Sequence, residues 1–595
     1  MRTTPTTGRV CKRGAGAFLL SLAGMLLVCA HSVVAHAQPL RARMTAATDD
    51  ARGRLQVQLN EKAMMSVRDR ASGQAILAPN QQALWQASGL DGAAGCVQPG
   101  IEVREVVDGF DVTYTYHNDT GAPKRLGTLY VGGVQFGPII RSRVFDGDGR
   151  EALLDHADKP FFGGGNLYPG GLYSPVATLR ESDLTIGVSL LYPVLEYKHP
   201  VFVRVESPGG VYRRDGANWQ VMFRLDADPS APGILPGETR TYTVTCRFAS
   251  GDPQFDWLRT LVPYRDYFRK AYGHVQYERD PRPIRAVEVA NSSALSKANP
   301  RGFTYPEQRS PEVFGWEPWI DTMRAATAQT DVRRFMLVAP TGMFFEHRDL
   351  NYPFQFTSGW KQLRAARFGL ATLSRFGKEL GPGGFGLWWG RCAQVMQGWD
   401  EAEWTLLDPD NAAHRAMAFH ELDLAQALHA SVVGLDTISR LPAWKAYHWL
   451  KTLRARYPEM KFVVEPLGAD FLHTLAASYV YGTGTAAQVR RIPTGPFLLA
   501  DFLNPGHETW ARIDATNIKR EAGLAQHESA PEHLVRRKAV QLANWGYVPI
   551  LHAHADVRGV FAAPSWDLSI PVDIRELVSA HDDAARQKTN EHAAQ

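Results

Sequence analysis

Residues 431–437 read Ser-Val-Val-Gly-Leu-Asp-Thr, and residues 461–466 read Lys-Phe-Val-Val-Glu-Pro. Each is a short apolar run closed by a carboxylate, Asp436 in the first and Glu465 in the second. Between them, Trp444 to Tyr457 has helical spacing and is rich in Trp, Lys and Arg. Strand, helix, strand is the unit of a parallel sheet, whose neighbouring strands need a crossover connection. Such strands are buried on both faces, so an acid at the end of each is costly unless it has a task. In a β/α barrel, chemistry sits at the C-terminal strand ends. The alternative is that the two acids are helix N-caps or salt-bridged structural groups.

Working outward, the same alternation covers residues 284–579. Strands are expected at Ile284–Ala290, Arg334–Ala339, Phe385–Trp389, Ser431–Leu435, Lys461–Val464, Tyr479–Tyr481, Phe497–Ala500 and Val548–His552. Helical patterns at Lys361–Phe376, Asn411–Ala430, Trp444–Tyr457 and Pro531–Asn544 separate several of them. Eight units of this kind match a (β/α)8 barrel of the TIM type. Tyr479–Tyr481 is the weakest of the eight patterns.

Before the barrel, residues 38–275 change period. Residues 101–117 alternate around Asp108-Gly109, a hairpin signal. Further short strands at Leu184–Tyr192, Val201–Val205, Trp219–Leu225 and Thr239–Phe248 imply an antiparallel β-sandwich. The fold class is therefore a multidomain β plus α/β chain, with an N-terminal sandwich followed by the barrel. Asp256–Tyr272 reads as a bridging helix, and residues 276–283, with Arg279-Asp-Pro-Arg-Pro283, as a linker. Gly163-Gly-Gly-Asn-Leu-Tyr-Pro-Gly-Gly171 is a loop that could reach over a neighbouring domain; no strand and helix frame it as a phosphate site. Residues 580–595 form a polar tail.

The first 37 residues read as a secretory signal: a basic start (Arg2, Arg9, Lys12, Arg13), an apolar run from Phe18 to Val34, and the cleavage pattern Ala35-His36-Ala37. The expected location is the periplasm or the medium, with no integral membrane span after cleavage. The formal net charge of +4 comes from the four basic residues of that segment, which has no acids, so the mature chain is near neutral (4 − 4 = 0). Nothing in that balance argues for a nucleic-acid partner. Of the mature cysteines, Cys96 and Cys246 could pair in an oxidising compartment, while a lone Cys392 reads as packing.

The expected strand ends gather chemistry. Strand two is followed by Glu346 and His347, strand three ends in Trp388, Trp389 and Arg391, and strand four ends in Asp436. Strand five gives Glu465, strand seven Asp501 and then His507 and Glu508, and strand eight His552 and His554. Breaking a glycosidic bond needs one carboxylate that attacks or activates water and one carboxyl that protonates the leaving oxygen. Aromatic walls suit sugar faces, and 15 Trp residues are available. The expected catalytic acids are Asp436, Glu465 and Asp501. The expected substrate contacts are Trp388, Trp389, Arg391, Glu346, His347, Glu508, His552 and His554. The substrate would be a carbohydrate, with no cofactor and no metal. Two rival readings remain: a metal-dependent hydrolase built on His552 and His554, which share one strand face near Asp556, and a non-catalytic glycan-binding envelope protein.

A sandwich followed by a β/α barrel, with Gly386-Leu-Trp-Trp389 on strand three and Gly434-Leu-Asp436 on strand four, resembles the retaining α-galactosidase and α-glucosidase superfamily. Leu407-Asp-Pro-Asp-Asn411, before the helix into strand four, is similar to a lead-in found in α-galactosidases. The resemblance implies that Asp436 is the nucleophile and that a second acid serves as acid/base. That superfamily usually carries Lys or Arg two residues before the nucleophile, where this chain has Gly434. It usually places the second acid after strand six, where this chain has none, leaving Glu465 or Asp501 for the role.

Overall fold

The structure is a computed structural model. It describes residues 43–45, 55–59, 65–73, 75–77, 85–88, 97, 99–135, 141–145, 151–153, 167–181, 184–206, 218–225, 233–252, 255–288, 320, 324, 333–338, 356–357, 370–389, 392–396, 405–465, 468–480, 494–514, 523–524, 532–544 and 546–552. The expected signal segment and polar tail lie outside them. No helix among the described residues is long and apolar enough to cross a membrane.

Eight parallel strands close into a barrel. They are β1 (Ile284–Glu288), β2 (Phe335–Val338), β3 (Phe385–Trp389), β4 (Val432–Asp436), β5 (Lys461–Glu465), β6 (Ala477–Val480), β7 (Thr509–Asp514) and β8 (Val548–His552). Every neighbouring pair is parallel, and β8 returns to β1. Alternate residues divide between two apolar layers, as the pleat requires. Ile284, Ala286, Met336, Trp388, Val432, Val463, Ala477, Tyr479, Trp510, Val548 and Ile550 form the lumen cluster. Leu337, Leu387, Trp389, Val433, Leu435, Phe462, Val464 and Ile513 join the layer behind the strands.

Seven of the eight strand positions agree with the sequence pattern. The exception is Phe497–Ala500, which lies within a helix, Thr494–Leu503. A short apolar run has no period that separates a strand from a buried helix face, and Pro496 near the start is compatible with a first helical turn. The seventh strand is Thr509–Asp514, whose Trp510, Arg512 and Asp514 alternate with Ala511 and Ile513.

Helices α1 (Val262–Tyr272), α2 (Leu370–Leu380), α3 (Ala412–Ala427), α4 (Ala443–Arg456), α5 (Thr494–Leu503) and α6 (Glu532–Asn544) follow in chain order. Asn411 caps α3, its side chain accepting the Ala413 amide at 2.9 Å and the His414 amide at 3.4 Å. No α-helix joins β5 to β6; residues Asp470–Thr474 make a fully buried 3₁₀ turn instead.

The preceding part of the chain is a sandwich. One eight-stranded sheet runs in the order Arg43–Thr45, Gly100–Val106, Gly109–His117, Thr239–Ser250, Leu184–Leu191, Val176–Glu181, Arg141–Phe145 and Glu151–Leu153. A five-stranded sheet runs Leu167–Tyr168, Val201–Glu206, Asn218–Arg224, Thr128–Gln135 and Trp85–Ser88. Pairing is antiparallel except where Arg43–Thr45 lies parallel to Glu102–Arg104. Asp108 takes φ 52° at the hairpin tip, a left-handed position that Asp tolerates. Cys246 is a free, buried thiol, and Cys96 lies outside the described residues.

The Tyr168–Ser174 segment does reach the barrel. Asp470 is fully buried, and its carboxylate accepts Tyr168 Oη at 2.8 Å, Ser174 Oγ at 2.6 Å, Tyr264 Oη at 2.6 Å and its neighbour's Phe471 amide at 2.9 Å. Its own amide donates to the Tyr173 carbonyl at 2.9 Å. Sandwich and α1 thus cover the gap left by the missing helix. Burial pushes the Asp470 carboxyl up to about 6, against the opposing pull of the Ser174, Tyr264 and Tyr168 hydroxyls. The folded state then holds its proton to higher pH than the unfolded chain, where Asp titrates near 3.9. Its contribution to stability is complete below about pH 4 and is lost as pH rises through 6, a change of about 3 kcal/mol. The difference in urea stability between wild type and Asp470→Asn should therefore shrink over that window; a flat difference would contradict the shift.

Candidate active site

Asp436 and Glu465 are partners in the β4–β5 register. Both continue the inward series of their strands, after Val432 and Gly434 in β4 and after Val463 in β5. They stand at the C-terminal mouth, Glu465 buried and Asp436 partly exposed. Neighbouring strands lie about 4.8 Å apart, so two in-register acids share one rim of the mouth.

One inward step below them, Trp388 pairs with Gly434 and Gly434 with Val463. The Trp388 ring lies 5.0 Å from that of Tyr479 on β6, closing the lumen beneath the acids. Glycine at 434 is what admits the indole: a Cβ there would stand 1.9 Å from Trp388 Cε3. The position that the resembled superfamily fills with a cation is occupied here by an aromatic neighbour. Gly434→Ala should cost about 1–3 kcal/mol through overpacking, read as a lower unfolding midpoint; a neutral change would show that Trp388 can move.

The strand end next to Asp436 is unusual. Thr437 adopts φ 60°, ψ 15°, a left-handed conformation that a β-branched residue avoids. Cys392 lies beside this corner, its buried Sγ donating to the Asp436 carbonyl at 2.7 Å. Burial holds its thiol well above the ordinary range, and the Asp436 and Glu465 charges push it further the same way. A protonated, fully buried thiol is a poor nucleophile, which agrees with the packing role expected of it.

Three expectations change. Trp389 has the opposite parity to Trp388 and is fully buried behind the strands, away from the mouth. Asp501 sits near the C-terminal end of α5, buried, with Arg279 Nη1 4.0 Å from its carboxylate and the Gly506 amide at 3.4 Å. Helices of a barrel run against the strands, so this is the end opposite the mouth. Glu508 lies at that same lower end, just before β7. It meets Lys461 Nζ at 2.6 Å, Arg334 Nη2 at 3.4 Å, the Asp280 amide at 2.8 Å and the Trp510 indole N–H. Burial would raise its carboxyl, but Lys461 and Arg334 outweigh that and hold it below the ordinary value. Both misplacements follow from reading α5 as the seventh strand, which turned its lower end into an upper one. His507, next in line, is a buried neutral imidazole bonded to Tyr277 Oη at 2.6 Å and Ser478 Oγ at 2.9 Å.

His552 closes β8 in register with Asp514, the closing residue of β7. Arg391, Glu346, His347 and His554 lie outside the described residues, as does the side chain of His552. Two strand-end acids escaped the sequence reading: Asp514 on β7 and Glu288 on β1. The alternation Trp510-Ala-Arg-Ile-Asp514 was the available signal for the first. For the second, it was the alternation Ile284-Arg-Ala-Val-Glu288.

No family model matches this chain, and no curated protein matches it. Solved structures do. A mutant of Kfla1895 in complex with isomaltose is similar at TM-score 0.40 and 12% identity, over 87% of this chain and 70% of that one. An alpha-amylase from Geobacillus thermoleovorans, complexed with acarbose, is similar at TM-score 0.33 and 9% identity, over 50% of this chain and 77% of that one. Dihydropteroate synthase from Xanthomonas albilineans, with 4-aminobenzoic acid, is similar at TM-score 0.26 and 12% identity, over 46% of this chain and 88% of that one.

Proposed function

We propose that this chain is an exported glycoside hydrolase that cleaves an oligo- or polysaccharide with retention of configuration. Asp436 is the nucleophile and Glu465 the acid/base. The observation that carries the reading is the in-register pair of inward acids at the C-terminal mouth, above an aromatic floor. Retaining enzymes hold their two carboxyls about 5–5.5 Å apart and inverting ones about 6.5–9.5 Å. Acids on adjacent strands, about 4.8 Å apart, suit the shorter spacing. Glutamate is one methylene longer than aspartate, so its carboxyl reaches further over the mouth. One group can then face the anomeric carbon while the other meets the leaving oxygen. Asp501 has no part in this reading, because it belongs to the lower end of the barrel. The Sec-type start of the chain supports export.

The test begins with a panel of aryl glycosides and their matching disaccharides. On a substrate pair that the wild type turns over, Glu465→Gln should lose about 10²–10⁴-fold on the disaccharide, whose leaving group needs protonation. It should lose far less on an activated aryl glycoside, and its alkaline pH limb should disappear. Equal losses on both substrates would remove Glu465 from the acid/base role.

A further inference from the structure

The β5 end that carries Glu465 is held unevenly. On its β4 side, five residue pairs run the length of the strand and include Asp436 with Glu465. On its β6 side, the register contains two pairs, Val463 with Ala477 and Val464 with Ser478. In an ordinary βα unit the following helix packs on the sheet and fixes the strand end; here the connection is the 3₁₀ turn Asp470–Thr474. What holds that turn is Asp470, five residues beyond Glu465, through hydroxyls from two other parts of the chain. Tyr168 and Ser174 come from the sandwich, and Tyr264 comes from α1. Around it, Tyr173 Oη meets His473 Nδ1 at 3.1 Å, and the Gln276 amide donates to the Thr474 carbonyl at 2.8 Å. Tyr168 and Tyr272 also flank the Phe471 ring, at 6.4 Å and 5.4 Å between centroids.

We infer that Asp470 is a positioning residue: clasped by Tyr168, Ser174 and Tyr264, it fixes the end of β5 and so sets Glu465 against Asp436. The sandwich is then a working part of the barrel's active end. This inference rests on the assignment of Glu465 as acid/base. Three hydroxyls converging on one side chain at 2.6–2.8 Å suit the role, because hydrogen bonds that short are directional and tolerate little displacement. A shift of about 1 Å at a reacting group can cost about a hundredfold in rate.

The experiment uses the full-length protein and two variants, Asp470→Asn and Tyr168→Phe. Tyr168→Phe removes one hydroxyl of three and keeps the ring, so it carries the test if Asp470→Asn fails to fold. Amide hydrogen exchange over residues 461–465 should rise about tenfold in Tyr168→Phe, while residues 548–552 of β8 stay at the wild-type rate. On a confirmed substrate, kcat should fall at least about tenfold with KM within twofold, and the alkaline limb of the pH profile should move. Unchanged exchange at 461–465, or a lower unfolding midpoint with unchanged kcat and pH limb, would overturn the inference. If instead Glu465→Gln keeps full activity, the acid/base assignment fails, and the exchange result still decides whether the clasp fixes β5.

Discussion

Asp436→Asn should abolish turnover, by about a thousandfold or more, while leaving the folded protein intact. Asn is nearly isosteric with Asp and keeps one oxygen, so β4 retains its packing and the Thr437 corner its shape. On the proposed mechanism, what it loses is the negative charge that attacks C1 and forms the glycosyl intermediate. In that mechanism the partner acid does not compensate, because the acid/base, assigned to Glu465, has to donate a proton at the moment of attack. The measurement is kcat on the substrate identified in the panel, with near-ultraviolet circular dichroism and the unfolding midpoint as controls for the fold. A second variant separates attack from simple charge stabilisation. Asp436→Gly with added azide should yield a glycosyl azide of inverted configuration, because azide enters from the face the carboxylate vacated. Near-normal activity in Asp436→Asn would sink the assignment.

Glu508→Gln should be the most damaging single change to stability, costing about 3–5 kcal/mol. It neutralises a fully buried carboxylate that faces Lys461 at 2.6 Å and Arg334 at 3.4 Å. Lys461 would remain at the lower end of the barrel without the carboxylate it faces, while Arg334 would keep only Asp280, at 3.3 Å, as counter-charge. This cluster draws on residues at the starts of β1, β2, β5 and β7 and so ties the barrel closed from below. Urea unfolding read by tryptophan fluorescence measures the loss. Lys461→Met combined with Glu508→Gln should recover part of it by removing a stranded charge. At a temperature where the variant is folded, its KM should match the wild type. A raised KM with unchanged stability would restore the substrate-contact role that the sequence suggested for Glu508.

Much of the architecture was legible along the chain. The runs ending in Asp436 and Glu465 could be recognised because β-strands in a parallel barrel are short, apolar and closed by polar residues. Periodicity failed at Phe497-Leu-Leu-Ala500, where helix and strand bury the same residues. One wrong element then inverted the top and bottom of the stretch from α5 to the start of β7, carrying Asp501 and Glu508 to the wrong end. Trp388 and Trp389 show a finer limit. Alternation says that one faces inward and one outward; the register against Gly434 says which.

Local hydrophobic pattern and chain direction were enough for the sandwich before the barrel, for seven of the eight barrel strands and for the acids that close β4 and β5. Only the tertiary structure decided which acids share a mouth and which lie at the opposite end. It alone brought Tyr168 and Ser174 to Asp470, about three hundred positions away. Register, parity and such distant contacts depend on how strands close into a barrel, a relation between segments that no single segment encodes.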